Sequence, residues 1–228
     1  MLIKRKQKKQ ANLILYIIDS CKTSIPTPKM YYIMYLADFI HYMETGRSIT
    51  GLKYYKHTTY LFPVPLKLEQ KLLKGNHFDP YFSSRTIDQS FNYCDQVYYN
   101  NAKCRECEEL LAFNWFFIHK LTEPTIKCFS KRELKIINKV IEIVEKYNPN
   151  HHWYNDNCVC YSYVYSQFFH KIDPFLDTVA SPEHNFTIID YKLVLDNLPQ
   201  EQKESILETI KEHKEFVKNY SFIKKEKN

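Results

Sequence analysis

The chain has 228 residues, of which 44% are apolar and 16% aromatic, enough for one sizeable buried core and too apolar for a disordered segment. Its 32 Lys and Arg exceed its 26 Asp and Glu to give a formal charge of +6, but five positive charges sit at Lys4, Arg5, Lys6, Lys8 and Lys9 and three more at Lys224, Lys225 and Lys227. The body is close to neutral, so nucleic acid is not expected as a partner: a phosphate-binding face needs Lys and Arg gathered on a folded surface, whereas this pattern reads as two basic tails.

Residues 1–10 form the first of those tails. The stretch that follows imitates a signal peptide, but Asn12, Tyr16 and Asp19 interrupt its apolar run and no small-residue cleavage site follows. It reads better as an amphipathic helix with Leu13, Ile14, Ile17, Ile18 and Cys21 on the buried stripe. Nowhere do about 18 uninterrupted apolar residues occur, so no membrane span is expected and the compartment is taken as cytoplasmic.

Thr27-Pro28 is a helix start, since the threonine hydroxyl can satisfy an orphan N–H and proline at the first helical position loses nothing. Met30 to Met43 are apolar or aromatic on nearly every face, with Asp38 and His41 the strongly polar exceptions, which describes a helix enclosed by protein. A buried acid must find donors, so core hydrogen bonds are expected for both. Gly46 stands where a left-handed C-terminal cap belongs, and Gly51 follows a short stretch of turn formers. Leu52 to Phe62 is rich in Tyr and Thr and predicts a strand, ended by a Pro63-Val64-Pro65 turn.

Leu66 to Lys74 has helical spacing with Gly75 as its cap, and residues 76–112 carry aromatics without a sustained period. The segment 112–129 predicts two short strands around Thr122-Glu123-Pro124, a hairpin, so residues 76–128 together read as an insertion. Ser130-Lys131-Arg132-Glu133 is a capping box, and Leu134, Ile137, Val140, Ile141 and Val144 continue one apolar helix face to Tyr147. Cys158 to Phe169 predicts a further helix stopped near Pro174, Phe186 to Tyr191 a short strand, and Gln200 to Lys218 a last helix with Ile206, Ile210, His213 and Val217 on one side. The fold class expected is α+β, mainly α: a central buried helix surrounded by amphipathic helices with a small antiparallel β element. Residues 11–219 form one globular domain in this reading, and residues 220–228 a second basic tail.

The run Pro28 to His57, followed by Pro63-Val64, resembles the Panacea or SocA-like antitoxin domain family. The matching positions are Lys29, Met30, Met34, Tyr35, Ala37, Thr45, Gly46, Tyr54, Pro63 and Val64. Ile33-Met34 stands where that family often has Lys-Leu, and Phe62 replaces a glycine before Pro63. Phe129 to Leu134 is similar to the family's later helix start, and Phe169 to Phe175, which includes His170 and Pro174, to an element built on S-H-x-x-x-P-W.

Searching for chemistry returns structural explanations. Gly46 and Gly51 have the spacing of a phosphate-binding loop, but Leu52 occupies the lysine position and no strand precedes them. His170 with Asp173 reads as a helix-end pair, not a base and its orienter. Seven cysteines, an odd number, do not make a disulfide framework; Cys104 with Cys107 and Cys158 with Cys160 are the close pairs, and structural thiols are preferred to zinc ligands. No enzyme activity, metal or cofactor is expected. The resemblance implies an antitoxin-type protein that neutralises a toxin by direct contact, in one branch by delivering it to a protease as an adaptor. The partner-binding residues expected are Arg47 and, from the strand beside it, Tyr54, Tyr55, Lys56 and His57, of which alternation leaves only about half exposed. The alternatives are a phage or mobile-element inhibitor of a host defence protein built on the same scaffold and, more weakly, a nucleic-acid-binding regulator.

Overall fold

The computed structural model describes residues 2–21, 25–56, 63–65, 82–86, 116–120, 122–147 and 187–225. The architecture is α+β and mainly helical. In chain order it consists of α1 (Leu2–Ser20), β1 (Ile25–Pro26), α2 (Thr27–Thr45), β2 (Tyr54–Lys56), β3 (Pro63–Pro65), β4 (Phe82–Thr86), β5 (Phe116–Lys120), a 3-10 turn at Ile126–Cys128, α3 (Lys131–Tyr147), β6 (Ile188–Ile189), a 3-10 helix at Tyr191–Asn197, and α4 (Gln200–Lys225).

Helix α2 is the axis of the structure. It packs against α1, α3, α4, the 3-10 helix at 191–197 and strands of both sheets. Met30 to Ala37 and Phe39 are buried without a gap, as expected of a helix apolar on every face. Around it, α1 contributes Leu13 to Leu15, Ile17 and Ile18, and α3 contributes Ile136, Ile137, Val140, Ile141 and Val144. Burying each such aliphatic side chain is worth about 1.5–3 kcal/mol, so these three helices carry most of the described core.

Both sheets are small and antiparallel. One has the order β1-β5-β4, with Ile25 opposite Ile118 and Ser84 opposite the same residue. The other has the order β3-β2-β6, with Tyr55 opposite Val64 on one side and Ile188 on the other. Pro63-Val64-Pro65 is therefore a strand and not the expected turn. Two prolines are tolerated there because β3 lies at the edge of its described sheet, where missing N–H groups cost the ladder little.

The hairpin expected around Thr122-Glu123-Pro124 does not form. Its first half is β5, but β5 pairs with β4 and β1, and the second half coils into the 3-10 turn at Ile126–Cys128. Asn12 on α1 drives this outcome: its Oδ1 accepts from the Thr125 N–H at 2.5 Å, and its Nδ2 donates to the Lys8 carbonyl at 2.8 Å. The polar residue that interrupts the apolar run of α1 thus holds the entry to α3. The helices expected at 66–74 and 158–169 lie outside the described residues.

Helix α3 starts on the expected capping box. Ser130 N–H donates to Glu133 Oε2 at 2.7 Å, and Glu133 N–H donates to Ser130 Oγ at 3.2 Å. Glu133 also takes an ion pair from Lys9 of α1 at 2.5 Å. Burial alone would raise this carboxyl, but the bonds from Lys9 and Ser130 outweigh burial and hold it below its ordinary value of 4.5. Helix α2 ends on Gly46, whose N–H donates to the Tyr42 carbonyl at 2.7 Å with φ at +68°. A Cβ there would collide with Ile210 Cγ1 of α4, so the glycine serves both the cap and the approach of α4.

Gly46→Ala is expected to lower stability by about 2–3 kcal/mol in urea unfolding, because left-handed backbone costs about 1–2 kcal/mol before the clash is counted; combined with Ile210→Ala, the total cost should fall short of the sum, and strict additivity would remove the contact from the explanation. A carboxyl lowered in the folded state stabilises above its unfolded pKa and loses that contribution as pH falls. The native chain should accordingly lose stability on acidification below about 4.5 more steeply than Glu133→Gln, as followed by thermal melts across that range.

Candidate interaction surface beside the buried acid

The carboxylate of Asp38 lies wholly inside the protein, on the face of α2 that meets the loop 46–53. Its Oδ1 accepts from the Thr50 N–H at 2.8 Å, and its Oδ2 accepts from the Thr50 hydroxyl, from Tyr54 Oη at 2.8 Å and from Tyr191 Oη at 3.3 Å. Burial pushes the carboxyl above its usual range, and the donors from Thr50, Tyr54 and Ile49 pull it back without cancelling that push. The same burial, with the Asp38 charge added, raises both tyrosine hydroxyls well above their ordinary value of 10, so they remain protonated donors. Tyr191 also donates to the Leu52 carbonyl at 2.7 Å. One acid therefore ties α2, the 46–53 loop, β2 and the 3-10 helix at 191–197 together.

Aromatic rings close around this network. Tyr191 lies 4.6 Å from Phe39 and 5.1 Å from Tyr42 between centroids, and Tyr54 meets Phe39 edge-on at 5.6 Å. Such a site is full: it has acceptors and donors, but they answer each other. His41 behaves alike, its Nδ1 lying 2.6 Å from the Arg47 carbonyl and 3.3 Å from the Thr45 hydroxyl. Thr45 Oγ1 also donates to the His41 carbonyl at 2.8 Å. The expectation of core hydrogen bonds for Asp38 and His41 is thus met.

The loop that these bonds hold carries the exposed residues. Arg47 is exposed, close enough to His213 of α4 that its charge, after the larger effect of burial, lowers the imidazole pKa. Tyr55 is half-buried and pairs across β2 and β6 with Ile188, whose side chain is 53% exposed. Tyr54, expected as a partner contact, is instead a core residue: the strand's alternation turns it onto Asp38 while Tyr55 faces the other way. Lys56 ends β2, and His57 lies outside the described residues.

The remaining motif residues hold the scaffold. Lys29 is fully buried and forms an ion pair with Glu145 of α3, joining the start of α2 to the far end of α3. Burial, with the Glu145 charge, pushes the nearby Cys21 thiol up to about 12, so it stays protonated and unreactive. Ala37 is buried, Gly46 caps α2, and Pro63 and Val64 lie in β3. His170 and Pro174, and Cys104, Cys107, Cys158 and Cys160, lie outside the described residues. Among the described residues no cluster of His, Cys, Asp and Glu has the geometry of a metal site, and no helix is long and apolar enough to cross a membrane.

Sequence reasoning missed Thr50 and Tyr191 as partners of Asp38. Thr50 was legible only as a turn former, and Tyr191 lies 153 positions away, with no local pattern linking it to an acid on α2.

This arrangement is a buried polar knot under a rigid loop, with a glycine-capped helix and a proline-flanked strand around it. A sequence model described as Antitoxin SocA-like, Panacea domain matches residues 32–151, just over half of the chain. The chain belongs to this family. No curated protein and no solved structure matches the chain. The Panacea match takes in Asp38, Thr50 and Tyr54 together with α3, whereas Tyr191 and α1 lie beyond it. Membership of an antitoxin family supports an antitoxin-type function in general terms.

Replacing Asp38 should show how much this knot holds. Asp38→Ala leaves the Thr50 N–H and the Tyr54 hydroxyl buried without an acceptor and is expected to cost about 3 kcal/mol or more, with Asp38→Asn costing less because one acceptor remains. Tyr191→Phe should cost about 1 kcal/mol. Urea unfolding of the three variants gives the order; an alanine variant within about 1 kcal/mol of the native chain would deny the network its role.

Proposed function

We propose that this Panacea-family chain is an antitoxin-type binding module that neutralises a cognate toxin by direct protein contact, without catalysis, in the cytoplasm, and that it can present the bound toxin to a protease as an adaptor. The family match carries this reading. The geometry supports a binding role in one particular way. Arg47 is exposed on a loop whose backbone is tied down by His41, Thr45 and Asp38, so little conformational freedom remains to be lost when a partner docks. Arginine and tyrosine are the side chains that most often dominate protein interfaces. Arg47 and Tyr55, with Ile188 beside Tyr55, are the contacts proposed, and Lys56 and His57 would extend them along the chain.

Coexpression with a candidate toxin from a neighbouring gene provides the assay. The native chain should restore growth, and Arg47→Ala combined with Tyr55→Ala should abolish rescue and weaken the isolated complex by at least about 100-fold, the lower bound for two interface hot spots that are not fully additive. Full rescue by the folded double variant would remove this surface from the reading. Co-purification of a host defence protein in place of a toxin would overturn the antitoxin assignment itself.

A further inference from the structure

The positive charge that composition assigns to a basic tail lies on a folded surface. Helix α1 begins at Leu2, and its second and third turns are docked. Lys6 runs alongside Gly51, where a Cβ would stand 3.3 Å from its Nζ, and Gln10 Nε2 donates to the Thr50 carbonyl at 3.1 Å. Lys9 pairs with Glu133 and sits 5.7 Å from the centre of the Phe129 ring. Burial raises the Cys128 thiol, and the opposing pull of the Lys9 and Lys8 charges places both ammonium groups near the 3-10 turn.

Three segments meet here: the start of α1, the loop 46–53, and the turn leading into α3. Their exposed charges are Lys6, Lys8, Arg47, Lys53, Lys127, Lys131 and Arg132, with the exposed acid Glu123 two residues before Thr125. No Asp or Glu occurs between Leu2 and Ile18, between Thr45 and Lys56, or between Thr125 and Arg132. The acid that stands where they join, Glu133, is buried and already paired with Lys9. Charge of one sign on rigid elements, with its internal counter-charge spent, is the electrostatic footprint of a polyanion site.

We propose that this face binds the phosphate backbone of duplex nucleic acid without regard to sequence. Its composition selects phosphate over an acidic protein. Lysine, which dominates the face, is depleted at protein interfaces and is a common point-charge contact for phosphate. The aromatics nearby are occupied in packing: Phe129 is buried against Tyr16, and the Tyr16 hydroxyl donates to Asn138 Oδ1 at 2.7 Å. Reading base edges needs forked Arg, Asn or Gln side chains reaching into a groove, and a lysine field supplies charge in their place. The face shares the loop 46–53 with Arg47, but Lys6, Lys8 and Lys131 are not among the Arg47 and Tyr55 contacts proposed for the toxin, so the two readings are tested by different substitutions.

The test is fluorescence anisotropy of the full chain with a labelled duplex of about 20 base pairs and arbitrary sequence, titrated between about 50 and 200 mM salt. Binding should weaken steadily with salt, with a slope of log K against log salt of about −4 to −5, as four to six phosphate contacts would give. Lys6→Glu, Lys8→Glu and Lys131→Glu together should reduce affinity at least about tenfold and flatten the slope by about 3. Lys139→Glu, Lys211→Glu and Lys214→Glu, an equal charge change on exposed positions of α3 and α4, should stay within about threefold of the native chain. Equal loss in both sets, an unchanged slope in the first set, or no binding at about 50 mM salt would overturn the proposal. So would equally strong competition by polyglutamate at matched charge, which would assign the face to an acidic polypeptide. If the first set loses its helical circular-dichroism signal, the corresponding Lys→Gln set is judged by the direction of the same two changes.

Discussion

Burying an ionised or ionisable carboxyl is costly unless every lone pair finds a donor, and Asp38 meets that requirement by recruiting elements from three parts of the chain. Thr50 supplies two donors from the loop, Tyr54 one from β2, and Tyr191 one from the 3-10 helix. Helix α2 could bury its apolar faces in several arrangements, since hydrophobic burial has no direction. Hydrogen bonds do have direction, and this set admits one path for residues 46–54. The fold thus uses a polar centre to specify what an apolar helix by itself would leave open.

The same loop is held from three further sides. His41 and Thr45 grip Arg47, Gly46 lets α4 approach through Ile210, and α1 reaches over with Lys6 and Gln10. A surface loop is ordinarily among the least restrained parts of a protein. Here its polar backbone is tied inward and its side chains at Arg47 and Lys53 point outward, which is the condition for presenting charge and contact area without a large ordering cost. The toxin-binding and phosphate-binding proposals both draw on that tethering of one loop.

Helix α1 does more than cover the core. Asn12 holds the chain entering α3, Lys9 completes the capping box by pairing with Glu133, and Tyr16 reaches Asn138 one turn further on. Each of these is a polar contact between α1 and the segment from 125 to 138. Because α1 and the 3-10 helix at 191–197 lie outside the matched family segment, that segment is completed here by elements from both flanks.

Local rules made a good part of this legible from the residues. Thr27-Pro28, Gly46 and the Ser130 to Glu133 box are signals written within four positions, and the ends of α2 and α3 follow them because capping is decided by nearest neighbours. An unbroken apolar run from Met30 likewise determined that α2 would be central, since no exposed face was available to it. What needed the tertiary structure was pairing across distance. The Pro63–Pro65 segment became a strand because β2 offered it an edge, the predicted hairpin failed because Asn12 and β4 outcompeted it, and Tyr54 and Tyr55 were sorted by which side of β2 held an acid. Residues 4–9 spell a charged stretch in any context; that they form a docked helix depends on Gly51 and Glu133, 40 and more positions away, and a contact of that range leaves no periodic trace in the amino-acid order.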